Sequence, residues 1–143
     1  LRVRRPQKKG YPKELNTLGD HIKAARLDRG LLQREVAEIM GVNEASISNW
    51  ELNHRPPYIS CYPKIIAFLG YIPFPPPNKS LAQQSLYYRK INGLSQEKLA
   101  KLIGVDASTI CRMETGVHKF FLKVEKKLRS FWEEQKLSKD FMN

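Results

Sequence analysis

LLQREVAEIMGVNEASISNWE, Leu31 to Glu51, returns 63 positions later as LSQEKLAKLIGVDASTICRME, Leu94 to Glu114. Seven pairs are identical at that offset: Leu31/Leu94, Gln33/Gln96, Ala37/Ala100, Gly41/Gly104, Val42/Val105, Ile47/Ile110 and Glu51/Glu114. Upstream, the same offset pairs Leu18 with Leu81, Arg26 with Arg89 and Gly30 with Gly93. A unit this long that occurs only twice reads as two compact domains, because solenoid repeats are mostly shorter and more numerous.

The spacing inside the repeat has a mechanical reading. Counting from Gln33, a small residue (Ala37) falls fifth and a glycine (Gly41) ninth, while Val36, Met40, Val42, Ile47 and Trp50 are apolar at places four, eight, ten, fifteen and eighteen. Counting from Gln96 gives Ala100, Gly104, Leu99, Ile103, Val105, Ile110 and Met113 at the same places. Alanine lets two helices approach, glycine turns the chain through a left-handed conformation, and the apolar set joins the pair. That is the pattern of a helix-turn-helix, present twice.

The flanking pattern is helical throughout. Leu18, Ile22 and Ala25 share a face behind a Thr17 cap; Val36, Ala37, Ile39 and Met40 mark a second helix; Ile47 and Trp50 mark a third, with Asn43 as its cap. After the Pro56-Pro57 break, Ile65, Ile66, Phe68 and Leu69 supply the closing helix. The second copy offers Ser80, Ser95 and Asp106 as caps. Its last helix is longer, from Lys119 to about Lys136, with Val124, Leu128, Phe131 and Trp132 inward. No useful stretch alternates with a period of two, so the expected fold class is all-α.

These residues resemble the Cro and phage-repressor (XRE) family of helix-turn-helix proteins, over Leu18 to about Leu69 and Leu81 to about Trp132. The resemblance implies two tandem lambda-repressor-like five-helix domains. It also implies that the third helix of each lies in the major groove of double-stranded DNA while the second crosses the backbone. Carried over by position, Gln33 and Gln96 clamp a phosphate or touch an outer base. Asn43, Glu44, Ala45 and Asn49 face base edges from the first domain; Asp106, Ala107, Ser108 and Arg112 do so from the second. Arg26 with Glu51 and Arg89 with Glu114 match a structural ion pair that holds the third helix. Leu32 departs from the pattern, standing where a polar cap is usual. Glu44 brings an acid toward phosphates, where it suits only a donor such as a cytosine amine. Arg112 has the fork that guanine accepts, and Lys119 and Lys123 follow for phosphates.

Organisation and charge fit that picture. Residues 1–14 form a basic arm, with Arg2, Arg4, Arg5, Lys8 and Lys9 as backbone contacts; such an arm is either a disordered tail or a strand tracking phosphates or the minor groove. The first domain is expected at 15–72, a proline-rich linker at 73–79, the second domain at 80–137 and a C-terminal tail at 138–143. Seven linker residues at about 3.1 Å each would span roughly 20 Å. Of 143 residues, 25 are Lys or Arg against 14 Asp or Glu, a net +11 that draws polyanions. No run is long and apolar enough to span a bilayer, and no apolar N-terminal segment directs secretion, so a cytoplasmic, nucleoid-associated bacterial or phage protein is expected. Cys61 and Cys111 stand alone and read as structural thiols. No metal, cofactor or small-molecule substrate is expected, and no catalytic motif is present. The charges of Lys123 to Arg129 read as a solvated face.

The function expected is that of a sequence-specific transcription regulator, a repressor acting by occupancy, with a homodimer or a protein partner left open. The alternative is an antitoxin-like or adaptor protein whose first domain binds a protein partner, favoured if Tyr58, Ile59 and Tyr62 form an exposed patch.

Overall fold

Thr17 opens the first helix. Its hydroxyl accepts from the Asp20 amide at 3.1 Å while the Asp20 carboxylate accepts from the Thr17 amide at 3.0 Å. This reciprocal box satisfies two donors that a helix start otherwise leaves open. The computed structural model describes residues 9–78, 80–116 and 122–141, with side chains through 135. Its helices are α1 (Leu18–Asp28), α2 (Gln33–Met40), α3 (Glu44–Glu51), α4 (Tyr62–Leu69), α5 (Leu81–Asn92), α6 (Gln96–Ile103), α7 (Ala107–Glu114) and α8 (Leu122–Phe141). A 3₁₀ turn, Ile59–Cys61, leads into α4. Among the described residues there is no strand. The chain divides into two compact units between Pro75 and Pro76. The first has four α-helices and reaches five helical elements with its 3₁₀ turn; the second has four helices among the described residues, not five.

In unit 1, Ile22, Val36, Ala37, Met40, Ile47, Trp50, Ile65, Phe68 and Leu69 close one core, with Leu18, Ala25 and Val42 packed against it. In unit 2 the core is Leu99, Ala100, Ile103, Ile110, Met113, Val124, Leu128 and Trp132. Burying each large aliphatic side chain contributes about 1.5–3 kcal/mol. The offset of 63 therefore continues through the closing helix: Cys61, Ile65, Phe68 and Leu69 correspond to Val124, Leu128, Phe131 and Trp132. Ile39 is the exception to the expected apolar face. It is 61% exposed, and Leu102, its counterpart, is 59% exposed.

The turn between second and third helices is the same in both units. Gly41 (φ 67°) and Gly104 (φ 72°) end α2 and α6 in the left-handed region that favours glycine. The next residue, Val42 or Val105, donates back to Ala37 or Ala100 at 2.9 Å. Alanine at that place leaves room for the chain to double back. Gly19 serves a different close approach, since a Cβ there would collide with the Trp50 carbonyl oxygen at the end of α3.

Several caps and boundaries differ from expectation. Ser95 accepts from the Lys98 amide at 3.1 Å. Asn43, Ser80 and Asp106 hold the N-cap positions, but their side chains make no capping hydrogen bond. At Leu32, which has no side-chain acceptor, Glu35 accepts from the Leu32 amide at 2.9 Å instead. The last helix runs through Phe141 rather than ending near Lys136, because no Gly or Pro interrupts it; most of the expected tail is thus helical. Its expected start at Lys119 lies outside the described residues. The proline-rich stretch is partly docked within unit 1, since Phe74 packs edge-on against Tyr62 with ring centroids 6.1 Å apart. Tyr11, expected in the free arm, donates to Asp28 at 3.2 Å.

Candidate nucleic-acid interface

In both units a buried glutamate at the end of the third helix ties that helix to the rest of its unit. In unit 2, Arg89 Nε and Nη2 donate to the two Glu114 oxygens at 2.7 and 2.6 Å, a bidentate pair whose side chains are only 8% and 9% exposed. Arg89 Nη1 also donates to the Leu94 carbonyl at 3.0 Å, tying α5 to the start of the helix-turn-helix. Ser85, fully buried, donates to Glu114 Oε1 at 2.9 Å, and Gln96 Nε2 donates to Oε2 at 2.9 Å. Burial pushes the Glu114 carboxyl up, yet the Arg89, Gln96 and Ser85 hydrogen bonds and the Arg89 charge outweigh it and hold the group below the ordinary carboxylate range.

Unit 1 repeats the arrangement with two hydrogen bonds to the glutamate instead of four. Arg26 Nε donates to Glu51 Oε1 at 2.7 Å, Arg26 Nη1 to the Leu31 carbonyl at 3.1 Å, and Gln33 Nε2 to Glu51 Oε2 at 2.5 Å. The counterpart of Ser85 is Ile22, a core residue. Gln33 and Gln96 are thus half-buried members of these networks, their amides turned toward the glutamates.

The front of α7 carries Asp106 just before it, then Ser108, Cys111 and Arg112, all exposed. Three- and four-residue steps put Ser108, Cys111 and Arg112 on one face. Arg112 makes no ion pair among the described residues. Ala107 sits differently: it is half-buried and packs on the core, because the first turn of α7 rolls that position inward. At α3 the N-cap Asn43 is exposed, as are Glu44 and Ala45, with Ser48 and Asn49 half-buried. Cys111, read from its isolation as a structural thiol, is exposed in the middle of the α7 face. Its three-residue step from Ser108 was the available signal. Lys9 is exposed, whereas Arg2, Arg4, Arg5, Lys8 and Lys119 lie outside the described residues.

With these geometries in place, the helix-turn-helix family model matches the chain in two segments, residues 22–71 and 86–119. The chain belongs to the helix-turn-helix family of the Cro and phage-repressor type. Searches of curated proteins and of solved structures each found no match. As a helix-turn-helix protein it is a DNA-binding transcription regulator. Each matched segment contains one Gln–Ala–Gly frame and its terminal glutamate.

The two helix-turn-helix units differ in charge. Between 15 and 75, Lys23, Arg26, Arg29, Arg34, Arg55 and Lys64 are balanced by Asp20, Asp28, Glu35, Glu38, Glu44 and Glu51, a net of zero. From 76 to 143 there are 13 Lys or Arg and 7 Asp or Glu, a net of +6, and residues 1–14 supply the remaining +5. Positive charge is what binds phosphates and makes affinity salt-dependent. Unit 2 and the N-terminal segment hold all of the excess. Among the described residues no helix is long and apolar enough to cross a membrane, and no cluster of three or more His, Cys, Asp or Glu could hold a metal ion.

Proposed function

We propose that this protein is a sequence-specific repressor that lays α7 in the major groove of double-stranded DNA, reads a second half-site with α3, and acts on the chromosome by occupancy. The observation that carries the reading is Arg112: an exposed, unpaired guanidinium on the Ser108–Cys111–Arg112 face, in the unit that holds the positive charge. Its fork matches the O6 and N7 acceptors of guanine. Asp106 and Ser108 flank it for neighbouring bases, Gln96 reaches a phosphate, and Lys119 and the basic arm, including Arg2, Arg4, Arg5, Lys8 and Lys9, add backbone contacts. On α3 the corresponding readers are Asn43, Glu44, Ala45 and Asn49, with Gln33 at the phosphate. The proline-rich stretch acts as the spacer between the two readers. Because Phe74 docks on Tyr62, its free length is shorter than its seven residues suggest.

A second reading, in which unit 1 binds a protein rather than DNA, is favoured by one observation: the body of unit 1 carries no net charge. The expected exposed patch does not support it, since Tyr58 is 85% accessible but Ile59 and Tyr62 are half-buried, Tyr62 against Phe74. Selecting bound sequences from a random pool of duplex DNA separates the two. A motif with two distinct halves supports the double reader, a single short half-site supports the second reading, and no enriched motif refutes both.

A further inference from the structure

Within unit 1, α2 and α4 leave an open groove of about 420 Å³ between them. Leu31, Met40 and Phe68, buried or half-buried, form its floor, and the exposed Ile39 and Ala67 form its edge. Two cations complete the lining. The Arg29 guanidinium lies over the Phe68 ring, 4.4 Å from its centroid, and Lys64, one turn before Phe68 on α4, stands beside Gly41 where α2 ends. Stacking on a ring fixes a guanidinium while leaving its N–H edge open to a carboxylate. Neither Arg29 nor Lys64 makes a salt bridge among the described residues. The lining holds no acid, although the body of unit 1 carries no net charge.

Unit 2 shows which of these features are particular to unit 1. Its counterpart groove, at the offset of 63, is about 320 Å³ and is lined by Leu102, Ile103, Lys127, Ser130 and Phe131. There Arg29 is replaced by Asn92, which donates to the Tyr88 carbonyl, and Lys127 donates to the Gly104 carbonyl at 3.4 Å. Glu134 also lines it. The pair of unengaged cations beside an apolar trough is therefore confined to unit 1.

We propose that the α2–α4 groove of unit 1 docks an acidic amphipathic helix of a partner protein. Aliphatic side chains of that helix cover Ile39 and enter the trough over Met40 and Phe68, while carboxylates one turn apart meet Arg29 and Lys64. The groove is too open to enclose a small molecule, since Ile39 at its edge is 61% accessible. Duplex DNA would answer the two cations but gains nothing by covering the aliphatic edge. No lining residue belongs to α3, so the site is compatible with either reading above and rests on neither.

A displayed library of helix-forming peptides with one randomised face, selected against the full chain without DNA, tests this. Enriched peptides are expected to carry aliphatic residues at three- and four-residue steps with Asp or Glu beside them. Fluorescence anisotropy then reads their affinity. Arg29→Glu and Ile39→Ser, both at exposed positions, are each expected to weaken binding about fivefold or more, while Leu102→Ser in the unit 2 groove leaves it unchanged. Changing the peptide acid that meets position 29 to Lys is expected to restore binding to Arg29→Glu, a recovery that an unfolded variant cannot give. A selection that enriches no such peptide, binding indifferent to both unit 1 variants, a loss equal in Leu102→Ser, or no recovery with the Lys peptide would each overturn the proposal. Displacement of the peptides by a duplex of random sequence would assign the groove to nucleic acid and overturn it as well.

Discussion

Replacing Arg89 by alanine removes three hydrogen bonds at once: the two to Glu114, at 2.7 and 2.6 Å, and the one to the Leu94 carbonyl at 3.0 Å. The carboxylate left behind is 9% exposed, so solvent does little to compensate it. Stranding one member of a buried pair costs about 3–5 kcal/mol. A unit the size of residues 76–143, at roughly 0.05–0.15 kcal/mol per residue, has about 3–10 kcal/mol in total. The variant should leave unit 2 marginal or unfolded at room temperature while unit 1 stays intact. The assay follows from the placement of the two tryptophans, Trp50 in unit 1 and Trp132 in unit 2, both buried. In a Trp50→Phe background Trp132 fluorescence follows unit 2 alone, and each kilocalorie lost should lower its midpoint by about 4–8 °C. Replacing the group as a whole, with Arg89→Met, Glu114→Leu and Ser85→Ala together, should recover most of the loss, since apolar isosteres of a buried pair are often neutral or better. A Trp132 midpoint within about 4 °C of the parent for Arg89→Ala alone would refute a structural role for the pair.

Three further outcomes are expected. Because the Glu114 carboxyl is held below its ordinary range, the unfolded chain binds the proton more readily; the stability this provides is present above about pH 4.3 and is lost as the pH falls through the folded value. Acid titration of Trp132 fluorescence should show that loss, and Glu114→Gln should flatten it at the cost of a lower plateau. Gly19→Ala should destabilise unit 1 by about 1–3 kcal/mol, read as a lower midpoint of Trp50 fluorescence, since its methyl would overlap the Trp50 carbonyl. DNA affinity should fall with log salt by about 0.9 per phosphate neutralised, and deleting residues 1–10, short of the docked Tyr11, should reduce that slope; an unchanged slope would make the arm a bystander.

How much of this was legible in the sequence depends on whether the signal was local. The Gln–Ala–Gly frame located both turns, because close helix approach and a left-handed residue admit few side chains. Thr17 and Ser95 make cap bonds that can be read from neighbouring residues. Asn43, Ser80 and Asp106 sit at the correct positions, but whether their side chains cap depends on a rotamer that spacing does not encode. Ser85 could not be found by aligning the repeats, since its counterpart is Ile22; its burial makes sense only beside Glu114, 29 residues away. Gln33 and Gln96 illustrate the same limit, since their position suggested phosphates and the folded chain also turns them toward the glutamates. Exposure of Ile39 and Leu102 contradicts their apolar character, which is why periodicity counted Ile39 into the core.

The base preference of Arg112→Ala shows whether an exposed side chain on α7 reads a base. Wild type and variant are compared on the same randomised duplex, with Asn49→Ala as the matching change on α3. Arg112→Ala should lose roughly 1–3 kcal/mol on the preferred site and become indifferent at one guanine position, with all other positions kept. Asn49→Ala should relax one position in the other half if α3 also reads. An Arg112→Ala protein that weakens uniformly on every sequence, or keeps its full preference, would show that Arg112 reads no base.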